Sequence, residues 1–166
     1  MMKINLNALF ERQRKFDEFI HKKHQLTYKK VFMETKLALF VELAELANEV
    51  KSFKFWSIKG SGPKEKILEE YIDGLHFITS LCLMKKIKPI FITNLKNEKT
   101  FTKHEITIKF LDLFKKIYKL NSKNSLIKWF IKFLNFGFCL NFSLNKILNA
   151  YVKKNKINYQ RQENNY

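Results

Sequence analysis

Apolar residues recur along this chain at spacings of three and four, interrupted by short polar breaks, and that period is the mark of amphipathic helices. A first helix is predicted from about Leu6 to about His24, with Leu9, Phe16, Phe19 and Ile20 on its apolar face. A second is predicted from about Val31 to about Phe55, where Leu39, Leu43, Leu46 and Val50 form one stripe. The break Lys59-Gly60-Ser61-Gly62-Pro63 follows, and Pro63 suits a first helical turn. A third helix runs on to about Met84 with Ile67, Tyr71, Leu75 and Ile78 inward. Pro89 to Lys99 reads as a connecting loop, before helices over about Lys103–Leu120, Ser125–Phe136 and Ser143–Lys156. The polar tail, Ile157 to Tyr166, is expected to be irregular. No repeat or low-complexity linker divides the pattern, so residues 1–166 are expected to form a single all-α domain.

Composition supports that class. Only four glycines and two prolines interrupt 166 residues, and 46% of them are hydrophobic, enough for a core without disulfides. Cys82 and Cys139 sit in apolar surroundings with no ligand-like spacing, which suits buried free thiols in a reducing cytoplasm. The N-terminus, Met1 to Arg14, is polar and lacks the apolar run of a signal peptide. The most apolar window, Leu126 to Leu144, is interrupted by Lys128 and Lys132 and falls short of the ~20 residues of a membrane span. A buried helix pair around Gly137 is expected there instead.

The formal net charge is +17, from 32 basic and 15 acidic residues. Such a surface attracts polyanions, nucleotides or nucleic acid among them. Lys, Asn, Ile and Phe are abundant throughout, as in AT-rich coding sequence, so the charge alone carries no functional claim.

The scarce acids are more informative because they cluster. Glu42, Glu45 and Glu49 lie within about 60° of one another on the second helix, beside its leucine stripe. Glu70 and Asp73 share a face of the third, where Glu69 also lies nearby. The break at 59–63 lets the two helices pack antiparallel, so that carboxylates face one another. Without a counter-ion such groups repel, and a hard dication relieves the repulsion. Oxygen-only ligands suit Mg²⁺ or Mn²⁺, which can bridge a polyphosphate and activate a water. Di-iron bundles also use facing carboxylates, but with paired Glu-x-x-His motifs, and this chain has only the imperfect Asp73-x-x-His76. At the C-terminus Lys154, Asn158 and Arg161 fall on one face if the helix persists. There they could hold phosphate oxygens and a base edge, or simply complement a helix dipole.

These residues carry a resemblance. Leu37-Ala-Leu-Phe-Val-Glu42-Leu-Ala-Glu45 through Glu49, Trp56 and Ser57 resembles the first metal motif of the dimeric, all-alpha dUTPases, in the MazG-like superfamily. Lys66-Ile-Leu-Glu-Glu70-Tyr-Ile-Asp73-Gly-Leu-His76 resembles the second. Tyr151-x-x-Lys154-Asn155-x-x-Asn158-x-x-Arg161-Gln162 is similar to the C-terminal nucleotide signature, and Leu9-Phe-Glu-Arg-Gln13-Arg-Lys-Phe-Asp17 to the N-terminal substrate motif. Tyr159, where relatives often carry His, and Asn165, where Gly is expected, depart from the pattern, and residues 85–141 match loosely.

The resemblance implies a magnesium-dependent hydrolase of dUTP and dUDP, a homodimer in the cytoplasm that requires neither nucleic acid nor membrane. Glu42, Glu45, Glu70 and Asp73 would hold Mg²⁺ (Mn²⁺ being the substitute), with Glu45 orienting the attacking water. Lys154 and Arg161 would hold phosphates, Gln13 and Asn158 would approach the uracil or deoxyribose, and Trp56 would supply an aromatic wall. His76 and Asp17 are further candidates. A pyrophosphohydrolase for another nucleotide such as dCTP, or a non-enzymatic basic helical nucleic-acid-binding protein, are the alternatives. Phe53, Phe55 and Phe77 are expected as core or subunit contacts, Trp129, beside Lys128 and Lys132, as an amphipathic anchor in packing, and His21 and His24 as surface residues.

Overall fold

The computed structural model describes residues 2–93 and 100–164. Six helices make up most of it: α1 (Asn7–His24), α2 (Phe32–Val50), α3 (Lys64–Met84), α4 (Lys103–Ile117), α5 (Lys123–Cys139) and α6 (Leu144–Glu163). Two short strands, β1 (Met2–Asn5) and β2 (Ile90–Thr93), join the ends of the chain's first half in an antiparallel ribbon, with Ile4 opposite Phe91. The expected loop after Pro89 therefore begins with a strand, and its remainder, residues 94–99, lies outside the described residues, as do Asn165 and Tyr166.

α3 is the central helix. Its buried residues, among them Tyr71, Ile72, Leu75, His76, Ile78 and Cys82, lie on nearly every side of it, and α1, α2, α5 and α6 pack around it. α2 presents the expected stripe of Leu39, Leu43, Leu46 and Val50, all buried. It stops at Val50 because Lys51 takes a left-handed conformation with φ 57° and its N–H caps Ala47. The chain then turns back. The Gly62 N–H donates to the Glu49 carbonyl at 2.8 Å and the Ser61 hydroxyl to Val50 O at 2.9 Å, which ties the end of α2 to the start of α3 and sets the two helices antiparallel.

α4 and α5 begin with capping boxes at Thr102 and Ser122. Between α3 and α5 runs an aromatic stack, Tyr71 on Phe133 at 4.6 Å and Phe133 on Trp129 at 4.9 Å. Trp129 belongs to this core, and its indole N–H donates to Leu113 O at 3.1 Å. Gly137 does not break α5: it lets Tyr71 approach, since a Cβ there would lie 2.6 Å from the tyrosine ring. α6 continues to Glu163, well beyond the expected end, because Tyr159 packs against Phe16 and Phe19 of α1 and Gln162 meets Lys23 and His24.

Apolar side chains also face outward. Met33, Leu37, Phe40 and Val41 of α2, Ile108 and Leu111 of α4 and Tyr118 at its C-cap are exposed, and the Phe40 ring meets Phe114 at 5.0 Å, joining the two sets. Among the described residues, no helix is long and apolar enough to cross a membrane.

Candidate functional site

The leucine stripe of α2 decides where its acids go. With Leu39, Leu43 and Leu46 buried against α3, Glu42 and Glu45 fall at the edge of the seam, where Glu70 of α3 meets them. Glu42, Glu45 and Glu70 each bring a carboxylate oxygen within 4.8 Å of the other two. Glu70 is buried, Glu42 half-buried and Glu45 exposed, so the group opens to solvent on one side. Burial first, then the charges of Asp73, Glu45 and Glu70, push the Glu42 carboxyl up to about 7. An oxygen-only cluster at this spacing, short of positive charge at Glu42, fits a hard divalent cation. Asp73, one turn along α3 from Glu70, lines the neighbouring cavity with Glu42.

Two lysines already balance part of this charge. Lys66 Nζ lies 2.7 Å from Glu70 and 3.3 Å from Glu69, and Lys154 Nζ lies 2.6 Å from Asp73 and 2.8 Å from Glu69. Glu69 thus holds one lysine on each oxygen, and its carboxyl is drawn below the usual range, chiefly by the Lys154 hydrogen bond. Burial works against the Lys154 charge, but Asp73 and Glu69 outweigh it and keep the ammonium protonated. The sequence placed Glu69 on the acidic helix without a task. Only the long-range partner Lys154, from the other end of the chain, gives it one.

The carboxylates border a cavity of about 420 Å³ bounded by α1, α2, α3 and α6. Gln13, Asp17, His76, Asn158 and Arg161 line it with Glu42 and Asp73, so seven of the eleven residues singled out in the sequence meet around one volume. Glu45 and Glu70 lie on the other side of the α2–α3 seam, in a groove shared with Glu49 and Lys66. Lys154 joins the two sides through Asp73 and Glu69. Trp56 does not line the cavity. It is 65% exposed and forms edge-on contacts with Phe53 and Phe55 in the segment after α2. Phe53 and Phe55 are likewise exposed and do not enter the core.

The cavity's inner wall is a hydrogen-bond network that sequence reasoning only grazed. Gln13 Nε2 donates to Asp17 Oδ1 at 2.8 Å and to Ser80 Oγ at 3.0 Å, and Ser80 Oγ donates to the same Asp17 oxygen at 2.9 Å. Gln13 Oε1 accepts from the Tyr151 hydroxyl and meets His76 Nδ1 at 2.7 Å. All four hydrogen-bonding valences of the Gln13 amide are therefore used within the protein. His76 stacks on Tyr151 with ring centroids 4.0 Å apart, and its Nε2 is buried with no hydrogen-bond partner among the described residues. Burial drives the imidazole down to about 3, so it is neutral near pH 7, and burial raises Asp17 to about 6. His21 also lines the cavity, while Cys82 is a buried free thiol and Cys139 a partly buried one.

No curated protein matches the chain. A family model described as dUTPase matches residues 5–166. The match takes in all six helices and every residue that borders the cavity and the carboxylate cluster, and the chain belongs to the dUTPase family of hydrolases.

Proposed function

We propose that this chain hydrolyses dUTP, and dUDP, to dUMP with Mg²⁺ as the working cation, Mn²⁺ being able to replace it. The observation that carries the reading is a carboxylate trio that shares Glu42 with a cavity also lined by His76, whose buried Nε2 has no hydrogen-bond partner among the described residues. Glu42, Glu45, Glu70 and Asp73 are the residues that would hold the cation. When bound, the cation neutralises the polyphosphate and makes a water acidic enough to attack near neutral pH.

Glu45 is exposed and faces solvent at the edge of the seam, where its carboxylate can orient a water and take its proton. In the reaction the water oxygen bonds to one phosphorus of the α–β bridge, and the bond from that phosphorus to the bridging oxygen breaks. The bridging oxygen leaves on the other phosphorus, so dUMP and pyrophosphate part and the oxygen of water stays on the phosphorus attacked. Arg161 lines the cavity and holds phosphate oxygens. Lys154 reaches a phosphate by exchanging one of its two carboxylate partners for it.

The base is assigned to the inner wall. With Nδ1 directed at the Gln13 carbonyl, His76 offers a lone pair at Nε2. Uracil presents N3–H, a donor that satisfies it, whereas cytosine presents a bare N3 and would leave two acceptors face to face. That polarity favours dUTP over dCTP. Asn158 borders the same volume and offers both a donor and an acceptor to the base or sugar. Trp56 keeps its proposed place as an aromatic wall, because three rings held exposed in one segment are costly without a partner to cover them. The exposed apolar face of α2 and α4 is proposed as the surface of a cytoplasmic homodimer.

The test of the cation site is Mn²⁺ binding measured beside turnover in Glu45→Gln and Glu70→Gln. Both variants are expected to bind Mn²⁺ more weakly and to lose turnover by a factor on the order of 100 or more. Unchanged Mn²⁺ affinity in both would overturn the site.

A further inference from the structure

Asp17 lies on α1 and lines the cavity beside Gln13, Ser80 and His76. It is 8% exposed, and three side chains direct hydrogens at its carboxylate: Gln13 and Ser80 at Oδ1, and Tyr28 at a longer 3.5 Å to Oδ2. An ionised carboxylate accepts hydrogen bonds and donates none. The end of the Gln13 amide that faces it at 2.8 Å must therefore be the NH₂ group, since a carbonyl there would set two acceptors against each other. The single Ser80 hydrogen goes to Asp17, which leaves Ser80 Oγ to accept the second Gln13 hydrogen at 3.0 Å. The amide is thereby fixed, and its carbonyl points to the other side.

On that side the carbonyl already receives the one hydrogen of Tyr151. His76 Nδ1, 2.7 Å away, can only be a donor to it. A neutral imidazole carries one hydrogen, so Nε2 is bare. This is the buried atom for which the described residues supply no donor. We infer that Asp17 is a specificity-determining residue acting through its neighbours: its carboxylate orients Gln13, Gln13 sets the tautomer of His76, and His76 Nε2 thereby demands a hydrogen-bond donor, such as the N3–H of uracil, from the nucleotide base.

Were the chain of bonds reversed, with a donor in place of the Asp17 carboxylate, Gln13 could turn over. Its NH₂ would then face His76 Nδ1, the imidazole hydrogen would move to Nε2, and the wall would offer a donor suited to the bare N3 of cytosine. The charge of one residue, joined to His76 through Gln13, decides which pyrimidine is read. Asp17→Asn supplies such a donor at nearly unchanged volume and also removes a buried charge.

This inference rests on the proposed hydrolysis of dUTP, but its first readout does not. In the protein with ¹⁵N-labelled histidine and no nucleotide, His76 is expected as the Nδ1–H tautomer near pH 7, and Asp17→Asn is expected to move it to Nε2–H or to a mixture. In turnover, the preference of wild type for dUTP over dCTP, taken as the ratio of kcat/KM, is expected to fall on the order of 100-fold in Asp17→Asn. A wild-type Nε2–H tautomer overturns the inference without any variant. So does an Asp17→Asn protein that keeps both the wild-type tautomer and the wild-type preference. A wild-type enzyme with the Nδ1–H tautomer that does not prefer dUTP overturns the functional reading instead, and with it the assignment of N3–H as the donor that His76 meets.

Discussion

Asp17 also has a stability signature. Burial raises its carboxyl from 3.8 to about 6, so the folded chain holds this proton more tightly than the unfolded chain does. The sign follows: the contribution is fully present below the unfolded value and is lost as pH rises through about 6. Asp17→Asn is expected to flatten the fall in melting temperature between about pH 4 and pH 6.5 and to be the more stable protein above it. An unchanged slope would mean that Asp17 titrates normally. The neighbouring carboxylates show why a sequence alone misjudges such groups. Four facing acids at Glu42, Glu45, Glu70 and Asp73 suggest mutual repulsion, yet Lys154 pairs with Asp73 and Lys66 with Glu70, and it is burial above all that raises the carboxyls of Glu42 and Asp73. Glu69, which makes that arrangement possible, was visible as an acid but not as the holder of two lysines.

The helices of this chain were legible where burial enforces a period. The stripe of Leu39, Leu43, Leu46 and Val50 is buried as expected, and because the acids border it, the placement of Glu42 and Glu45 followed from the same pattern. Legibility failed where a boundary depends on distant contacts. The end of α2 at Lys51 has no glycine or proline to mark it, and the last turns of α6 are polar but held by Phe16 and Phe19 from the other end of the chain. β1 and β2, four residues each, are too short for a periodic signal. Gly137 is a further case. In a helix interior, Gly→Ala contributes about 1 kcal/mol of stability. Here the new Cβ would sit 2.6 Å from Tyr71, a fully buried ring stacked on Phe133 whose hydroxyl donates to Phe133 O. Overpacking a core costs ~1–3 kcal/mol, so the clash wins and Gly137→Ala is expected to unfold at lower denaturant concentration than wild type. Gly60→Ala, where a Cβ meets nothing within 4 Å, serves as its control. Equal midpoints for the two would show that Tyr71 yields freely.

At the scale of the molecule, the chain buries an aromatic core yet leaves Leu37 65% and Leu111 58% exposed on adjoining helices. A second copy covering that face is the proposed reason. Sedimentation equilibrium is expected to give twice the chain mass for wild type and the single mass for the Leu37→Glu, Leu111→Glu double variant, with helical content retained. A wild-type monomer at micromolar concentration would remove the dimer. The same face borders the groove of Glu45 and Glu70, so loss of the dimer is expected to reach the cation site as well.

Those carboxylates and the cavity of Gln13, His76, Asn158 and Arg161 are two halves of one claim: a cation handles the phosphates while a bare imidazole nitrogen reads the base. Pyrophosphate release from dUTP, dCTP, dTTP and UTP, each with Mg²⁺ and with EDTA, tests both halves together. Turnover of dUTP is expected far above that of the other three, and is expected to be lost in EDTA. Hydrolysis of dCTP as fast as dUTP, or turnover of dUTP that survives EDTA, would contradict that claim.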